Sequence, residues 1–214
     1  MIFMKNSIVE TFVPNWIFSS NVYVISSEKW TLVVDPWFYD DKLQIYLKFL
    51  WKIDWILLTH GHWDHIRCVD EIKHDFPEAQ IYIHKEDKWL LSDTYLNCSH
   101  LIGNKDIIVK SETIEIEGWN IKIWWYDIII YYFPWHTDWW VMYYFPEENI
   151  MFMWDVVMSD TIWTIRVPTW NIEKMNNTIQ KFKNLNISPN TICYPWHSES
   201  AYFMDILCNN MYLQ

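Results

Sequence analysis

Short apolar runs separated by polar clusters dominate the chain, and amphipathic stretches are fewer and longer. Runs rich in β-branched and aromatic residues between polar clusters predict strands. Ile8–Val13, Val22–Ile25, Thr31–Val34, Ile56–Leu58 and Ile81–His84 are those of the first half. Between them, Asp40–Leu50 sets Leu43, Tyr46, Leu47 and Leu50 at helical spacing. Ile66, Val69 and Ile72 repeat that spacing, so a helix is expected to begin beside Asp64. Lys85–Leu91 reads as a short helix and Ser92–Lys110 as loop. The second half repeats the logic, with strands at Thr113–Ile116, Ile121–Ile123, Ile128–Phe133, Val141–Phe145 and Ile150–Met153, and helices at Ile172–Leu185 and Ala201–Tyr212. No low-complexity linker separates the halves, so residues 1–214 are read as one domain. Strands in runs, each half closed by helices, predict a mixed α/β sandwich of two facing sheets with helices outside.

Four of the apolar runs lead into residues that bind metals. Ile56-Leu57-Leu58 runs into Thr59-His60-Gly61-His62-Trp63-Asp64-His65. His60 and His62 can converge on one ion, and Asp64 and His65 can face a second. Neutral imidazole and carboxylate are ligands of Zn²⁺ and related first-row metals. Downstream, Ile128–Phe133 leads to Pro134-Trp135-His136, Asn149–Phe152 to Met153-Trp154-Asp155, and Thr191–Tyr194 to Pro195-Trp196-His197. Five of the eight histidines fall in this one pattern. His74, His84 and His100 do not, and His84 reads as a surface or internally satisfied histidine. Thr59 and Thr137 neighbour the candidate ligands and read as ordinary strand-end hydroxyls.

The motif His60-x-His62-x-Asp64-His65, followed by His136, Asp155 and His197, resembles that of the metallo-β-lactamase-fold hydrolases. The resemblance implies a four-layer αββα sandwich. It also implies seven metal ligands, His60, His62, Asp64, His65, His136, Asp155 and His197, holding two divalent ions, Zn first and Fe or Mn otherwise. One ion would sit on His60, His62 and His136, the other on Asp64, His65 and His197, with Asp155 between them. Such a pair lowers the pKa of a shared water towards roughly 7 and yields a hydroxide nucleophile. Asp64 would orient that hydroxide and help protonate the leaving group. Asp35, in Asp35-Pro36-Trp37, resembles the family's Asp-Pro-Gly and is expected to support the site without binding metal. Within the family the chain is most similar to the compact glyoxalase II-like (hydroxyacylglutathione hydrolase-like) members. It ends 17 residues after His197, so their larger relatives' helical substrate domain is not expected. Asp155–Trp163 resembles their Gly-Asp-x-Leu-Phe…Ile-Gly stretch, but Trp163-Thr164-Ile165-Arg166 departs from Gly-Arg-x-Asp. Arg166 is the candidate for an anionic group of the substrate. Hydrolysis of a thioester or related ester is the expected activity. The alternative is a mononuclear iron oxidoreductase of the persulfide dioxygenase type, which uses only the His-His-Asp subset.

Charge and composition narrow the partners. A net charge of −11 with no basic run argues against nucleic-acid binding, which rests on Lys and Arg at phosphates. No apolar stretch approaches the roughly 20 residues of a membrane span. Cys68, Cys98, Cys193 and Cys208 form no CxxC pair, and Met1–Asn6 does not open a signal peptide. A cytoplasmic protein acting on a small molecule is therefore expected.

One anomaly changes the reading of individual positions. The chain holds 17 Trp and 3 Gly, where ordinary usage gives roughly 15 Gly. Trp16, Trp30, Trp37 and Trp170 fall where turns are expected, and turns favour glycine for its positive φ. The resembling family has glycine at the positions of Trp37, Trp135, Trp154 and Trp196. Two Ala and two Arg beside abundant Ile, Asn, Lys and Tyr suit an AT-rich genome. UGA codons, read as glycine in some bacterial lineages and as tryptophan in others, account for the pattern. Glycine is thus expected in the cell at 16, 30, 37, 135, 154, 163, 170 and 196, whereas Trp63 suits a variable position between two ligands.

Overall fold

A computed structural model describes residues 7–14, 20–103, 105–118, 120–123, 126–134, 137, 140–153, 157–158, 160–162 and 171–214. The chain divides into two compact units, residues 1–116 and 117–214.

The first unit carries a six-stranded sheet in sequential order: β1 (Ile8–Phe12), β2 (Val22–Ser26), β3 (Thr31–Val34), β4 (Trp55–Leu57), β5 (Gln80–His84) and β6 (Ile114–Ile116). The first three pair antiparallel, and β3 to β6 run parallel. Every residue of β2, β3 and β4 is buried. Strands covered on both faces read as continuous apolar runs instead of alternating ones, which is why the sequence pattern exposes them so plainly. The crossover from β3 to β4 carries α1 (Asp41–Leu50), which buries Leu43 and Leu47. The Asp40 side chain accepts from Leu43 N at 2.9 Å and caps its N-terminus. Beyond β4 come α2 (Trp63–Ile66) and α3 (Val69–Asp75), where Ile66, Val69 and Ile72 are buried as their spacing predicts. Lys85–Leu91 forms the expected short helix, of 3₁₀ type, and the stretch read as loop after it contains one helical turn among its described residues, α4 (Ser99–Ile102).

The second unit holds β7 (Asn120–Ile123), β8 (Tyr126–Tyr132), β9 (Val141–Phe145), β10 (Ile150–Phe152), β11 (Ile192–Tyr194) and β12 (Ala201–Tyr202), in the order 12-11-10-9-8-7. All pairs are antiparallel except β10 with β11. The strands β8, β10 and β11 therefore point the same way. The helices are α5 (Ile172–Lys183) and α6 (Phe203–Asn209). Phe182 of α5 lies 6.3 Å from Phe133 and 5.3 Å from Phe203, ring centre to ring centre. Ala201 and Tyr202, expected in the last helix, pair instead with Cys193 and Ile192 as an edge strand. That pairing is a tertiary contact that local periodicity does not encode.

The tryptophan positions divide. Trp30, Trp37 and Trp196, expected to need glycine's left-handed freedom, are not among the described residues with positive φ. They are buried at 3%, 5% and 0% exposure, and the Trp37 indole donates to Ser20 O at 3.1 Å. Trp51, outside that expectation, adopts φ 60° at the C-terminus of α1 and is 80% exposed. Trp140 is fully buried, and its indole nitrogen has no hydrogen-bond partner among the described residues. Trp16, Trp135, Trp154, Trp163 and Trp170 lie outside the described residues.

Candidate metal centre

In the first unit, three parallel strands deliver the site from their C-terminal ends, where open α/β sheets place their ligands. Asp35 follows β3, Thr59 to His65 follow β4, and the 3₁₀ helix follows β5. Ladder bonds continue past the strands, from Asp35 N to Leu57 O (3.1 Å) and from Leu58 N to Tyr82 O (2.9 Å). They bring the three exits side by side.

His60, His62 and His65 are all buried. Their neighbours orient the rings. His65 Nδ1 lies 2.8 Å from Asp35 Oδ2, which turns its Nε2 away from Asp35, the arrangement that fixes tautomer and ring orientation in metal sites. His60 Nδ1 sits 3.0 Å from Thr59 Oγ1. His60 Nε2 and His62 Nδ1 face each other at 3.0 Å, and the His60 and His65 rings are 3.9 Å apart. Two nitrogens each about 2.0–2.1 Å from one ion stand close to this separation, so the pair fits a shared first-row metal. The donor set of buried imidazoles beside a carboxylate fits it chemically as well.

Asp35, His60 and His65 offer ligand atoms all within 4.8 Å of one another. Both Asp35 oxygens are already engaged. Oδ1 accepts from Thr59 N at 2.8 Å, while Oδ2 accepts from the Thr59 hydroxyl and meets His65 Nδ1. Asp35 therefore orients His65 instead of offering a free oxygen. Thr59 is more than the strand-end hydroxyl expected from its position: fully buried, it links Asp35 to His60. Burial pushes the Asp35 carboxyl above its ordinary range, and His65 and Thr59 pull it back part of the way. Asp35 also adopts φ 43°. A non-glycine residue there costs on the order of 1–3 kcal/mol, and the turn aims the carboxylate at Thr59 and His65.

Asp64 lies in the first turn of α2, half-buried. It is close enough to Cys98 to add to the effect of burial, which pushes that thiol up to about 12. Burial does the same to Cys68, also to about 12, and raises Cys193. Cys208 alone is exposed, and no cysteine is in a disulfide. His84 is buried and caps the 3₁₀ helix, accepting from Glu86 N; His100 pairs with Asp106 at the surface.

In the second unit, the parallel-running β8, β10 and β11 lead towards His136, Asp155 and His197 respectively. His136, Asp155 and Arg166 lie outside the described residues. The exit of β8 is tied to α5, where Thr178 Oγ1 donates to Pro134 O at 3.1 Å and Lys181 Nζ donates to Tyr132 O. His197 is half-buried, with the fully buried Trp196 ring edge-on to it at 6.2 Å.

Two residues at the first-unit site escape sequence reading. Asp87 is a carboxylate 1% exposed whose Oδ2 accepts from Gly61 N at 3.2 Å. Asn97, fully buried, accepts through its peptide oxygen from Trp63 N at 2.9 Å. Asp87 stands between Lys85 and Lys88 in a polar stretch and looks like a surface residue; Asn97 belongs to no motif. Only the absence of space at Gly61 hints at them, since a Cβ there would collide with Leu90.

Buried His60, His62 and His65 follow the carboxyl end of β4, with Asp35 holding His65, a donor set of the kind metal-dependent hydrolases use. The chain belongs to the metallo-β-lactamase superfamily, whose family model matches residues 16–175, and it has that fold, built on two mixed sheets with helices. It is 27% identical over 180 residues to "Probable metallo-hydrolase YqgX" of Bacillus subtilis, covering 83% of this chain and 84% of that one. It is 21% identical over 208 residues to "Hydroxyacylglutathione hydrolase" of Francisella philomiragia, covering 92% and 73% respectively. Among solved structures, BLEG-1 B3 metallo-β-lactamase aligns with a TM-score of 0.87 at 23% identity over 97% of this chain and all of that one. Among the described residues no helix is long and apolar enough to cross a membrane.

Proposed function

We propose that the protein is a binuclear metal-dependent hydrolase of thioesters or related esters. The observation that carries the reading is the facing pair His60 Nε2 and His62 Nδ1 at 3.0 Å, buried beside a His65 already oriented by Asp35. The remaining ligands are His136, Asp64, Asp155 and His197, and zinc is the first choice of metal. When bound, the ions supply Lewis acidity that brings water towards a pKa of roughly 7 and polarises the scissile carbonyl. The chain's residues do the rest. Asp35 holds His65 by Nδ1, and Thr59 does so for His60, which keeps the opposite nitrogens turned to the ligand side. Asp64 takes the proton from the attacking water and returns it to the departing thiolate. Arg166 offers a positive charge to an anionic part of a small substrate. The hydroxyacylglutathione hydrolases among the relatives favour a thioester.

The test is metal analysis of purified protein together with two assays. Zinc-loaded protein is expected to cleave a hydroxyacylglutathione or a simple acyl thioester and to consume no oxygen with a persulfide. Oxygen consumption by an iron-loaded protein, with no thioester cleavage, would replace hydrolysis by persulfide oxidation. Protein that binds no metal after metal-supplemented expression would sink both.

A further inference from the structure

The His60–His62 loop makes no regular structure of its own, yet it must hold two ring nitrogens to within a fraction of an ångström. Its backbone is held from one side. The N–H of Gly61 donates to Asp87 Oδ2 at 3.2 Å, and the N–H of Trp63 donates to Asn97 O at 2.9 Å. These are the two peptide groups that bracket His62. Both acceptors come from one continuous segment, the 3₁₀ helix and the turn after it. Asn97 makes that segment a unit: Nδ2 donates to Leu90 O (3.1 Å) and Ile107 O (2.9 Å), and Oδ1 accepts from Ser99 N (2.9 Å). Leu90, in the same helix, packs so close to Gly61 that a side chain at 61 would strike it. The loop is therefore pinned by a hydrogen bond and by contact at the same residue.

Taking a carboxylate out of water is costly unless it is paired with donors. Asp87, 1% exposed, accepts from the ligand loop at Gly61 N. We propose that Asp87 is a positioning residue for the metal centre: through Gly61 N–H it sets the separation and orientation of the His60–His62 pair. The proposal rests on the reading of these histidines as metal ligands. Asp87 touches neither metal nor substrate. It acts through the backbone, and Asn97 braces it.

The experiment is titration of the metal-free full-length protein with Zn²⁺ against a chromophoric chelator, with the absorption spectrum of the Co²⁺ form as a second readout. Asp87→Ala is expected to lower affinity roughly 10- to 100-fold, as loss of partners behind metal ligands does, and to alter the cobalt spectrum of folded protein. Asp87→Asn keeps an acceptor for Gly61 N–H and is expected to stay within a few fold of wild type. Gly61→Ala, whose methyl would strike Leu90 Cβ and so displace the same peptide, should reproduce the Asp87→Ala loss. It decides the matter even where Asp87→Ala does not fold. Wild-type affinity and spectrum in either variant would overturn the proposal while leaving the metal centre in place. Failure of the wild type to bind Zn²⁺ or Co²⁺ would overturn both.

Discussion

Two aspartates beside the histidine cluster have different surroundings, and their surroundings assign them different work. Asp35 is wholly buried with both oxygens engaged by Thr59 and His65, so it can orient but not exchange protons with a substrate. Asp64 is half-buried in the first turn of α2, partly open to solvent, and the proposed function gives it the proton transfer. Asp64→Asn is therefore expected to leave the fold intact and to lower turnover by about 10²- to 10⁴-fold, the range of general acid–base contributions. Steady-state kinetics with unchanged circular dichroism checks this, and a wild-type rate would remove Asp64 from the mechanism. Trp51 makes a separate case. Its φ of 60° at the end of α1 is the conformation that glycine takes without cost at helix C-termini, and at 80% exposure the indole contributes little packing. Trp51→Gly is expected to stabilise the protein by about 1 kcal/mol, read as a higher urea midpoint at constant m. The UGA reading extends from the expected positions to this one: UGA at codon 51, and glycine there in peptides of the native protein by mass spectrometry, is the corresponding result. UGG codons would end it.

At the scale of elements, polar residues at element ends do distinct work in the first unit: Asp35 follows β3 beside the histidines, and Asp40 opens α1. Asp40 shows the energetic part of this. Its carboxylate caps α1 through Leu43 N, and α1 buries Leu43 and Leu47. Removing such a cap costs about 1 kcal/mol. Asp40→Ala is expected to lower stability by that amount, measured by denaturant unfolding, with metal affinity unchanged, because α1 belongs to the β3–β4 crossover and not to the ligand loop. A loss of metal affinity larger than fivefold in folded protein would show that α1 position matters to the site.

For the whole molecule, the expected ligands are divided along the sequence: His60, His62, Asp64 and His65 precede residue 117, and His136, Asp155 and His197 follow it. Wild-type protein is expected to bind close to two first-row ions, and His62→Ala and His197→Ala are each expected to lose about one. Elemental analysis of both variants, with a cobalt spectrum to show which environment survives, measures this. The two spectra should differ; identical spectra would mean that His62 and His197 serve the same ion.

The sequence by itself determined the strands and the residues that leave them. A strand buried on both faces is an unbroken apolar run, and a ligand that follows it is adjacent by covalent connection, so His60, His62, Asp64 and His65 could be read off the end of Ile56–Leu58. The same reasoning found the apolar spacing of α1 to α3. Tertiary structure decided what supports those ligands. Asp35 meets His65 across 30 positions and Asp87 meets Gly61 across 26, separations at which periodicity carries no information. Whether Thr59 is an idle hydroxyl or a link between Asp35 and His60, and whether Ala201 and Tyr202 join a helix or an edge strand, turned on which strands become neighbours. Hydrophobic pattern reports that a residue is buried, and only the pairing of strands reports against what.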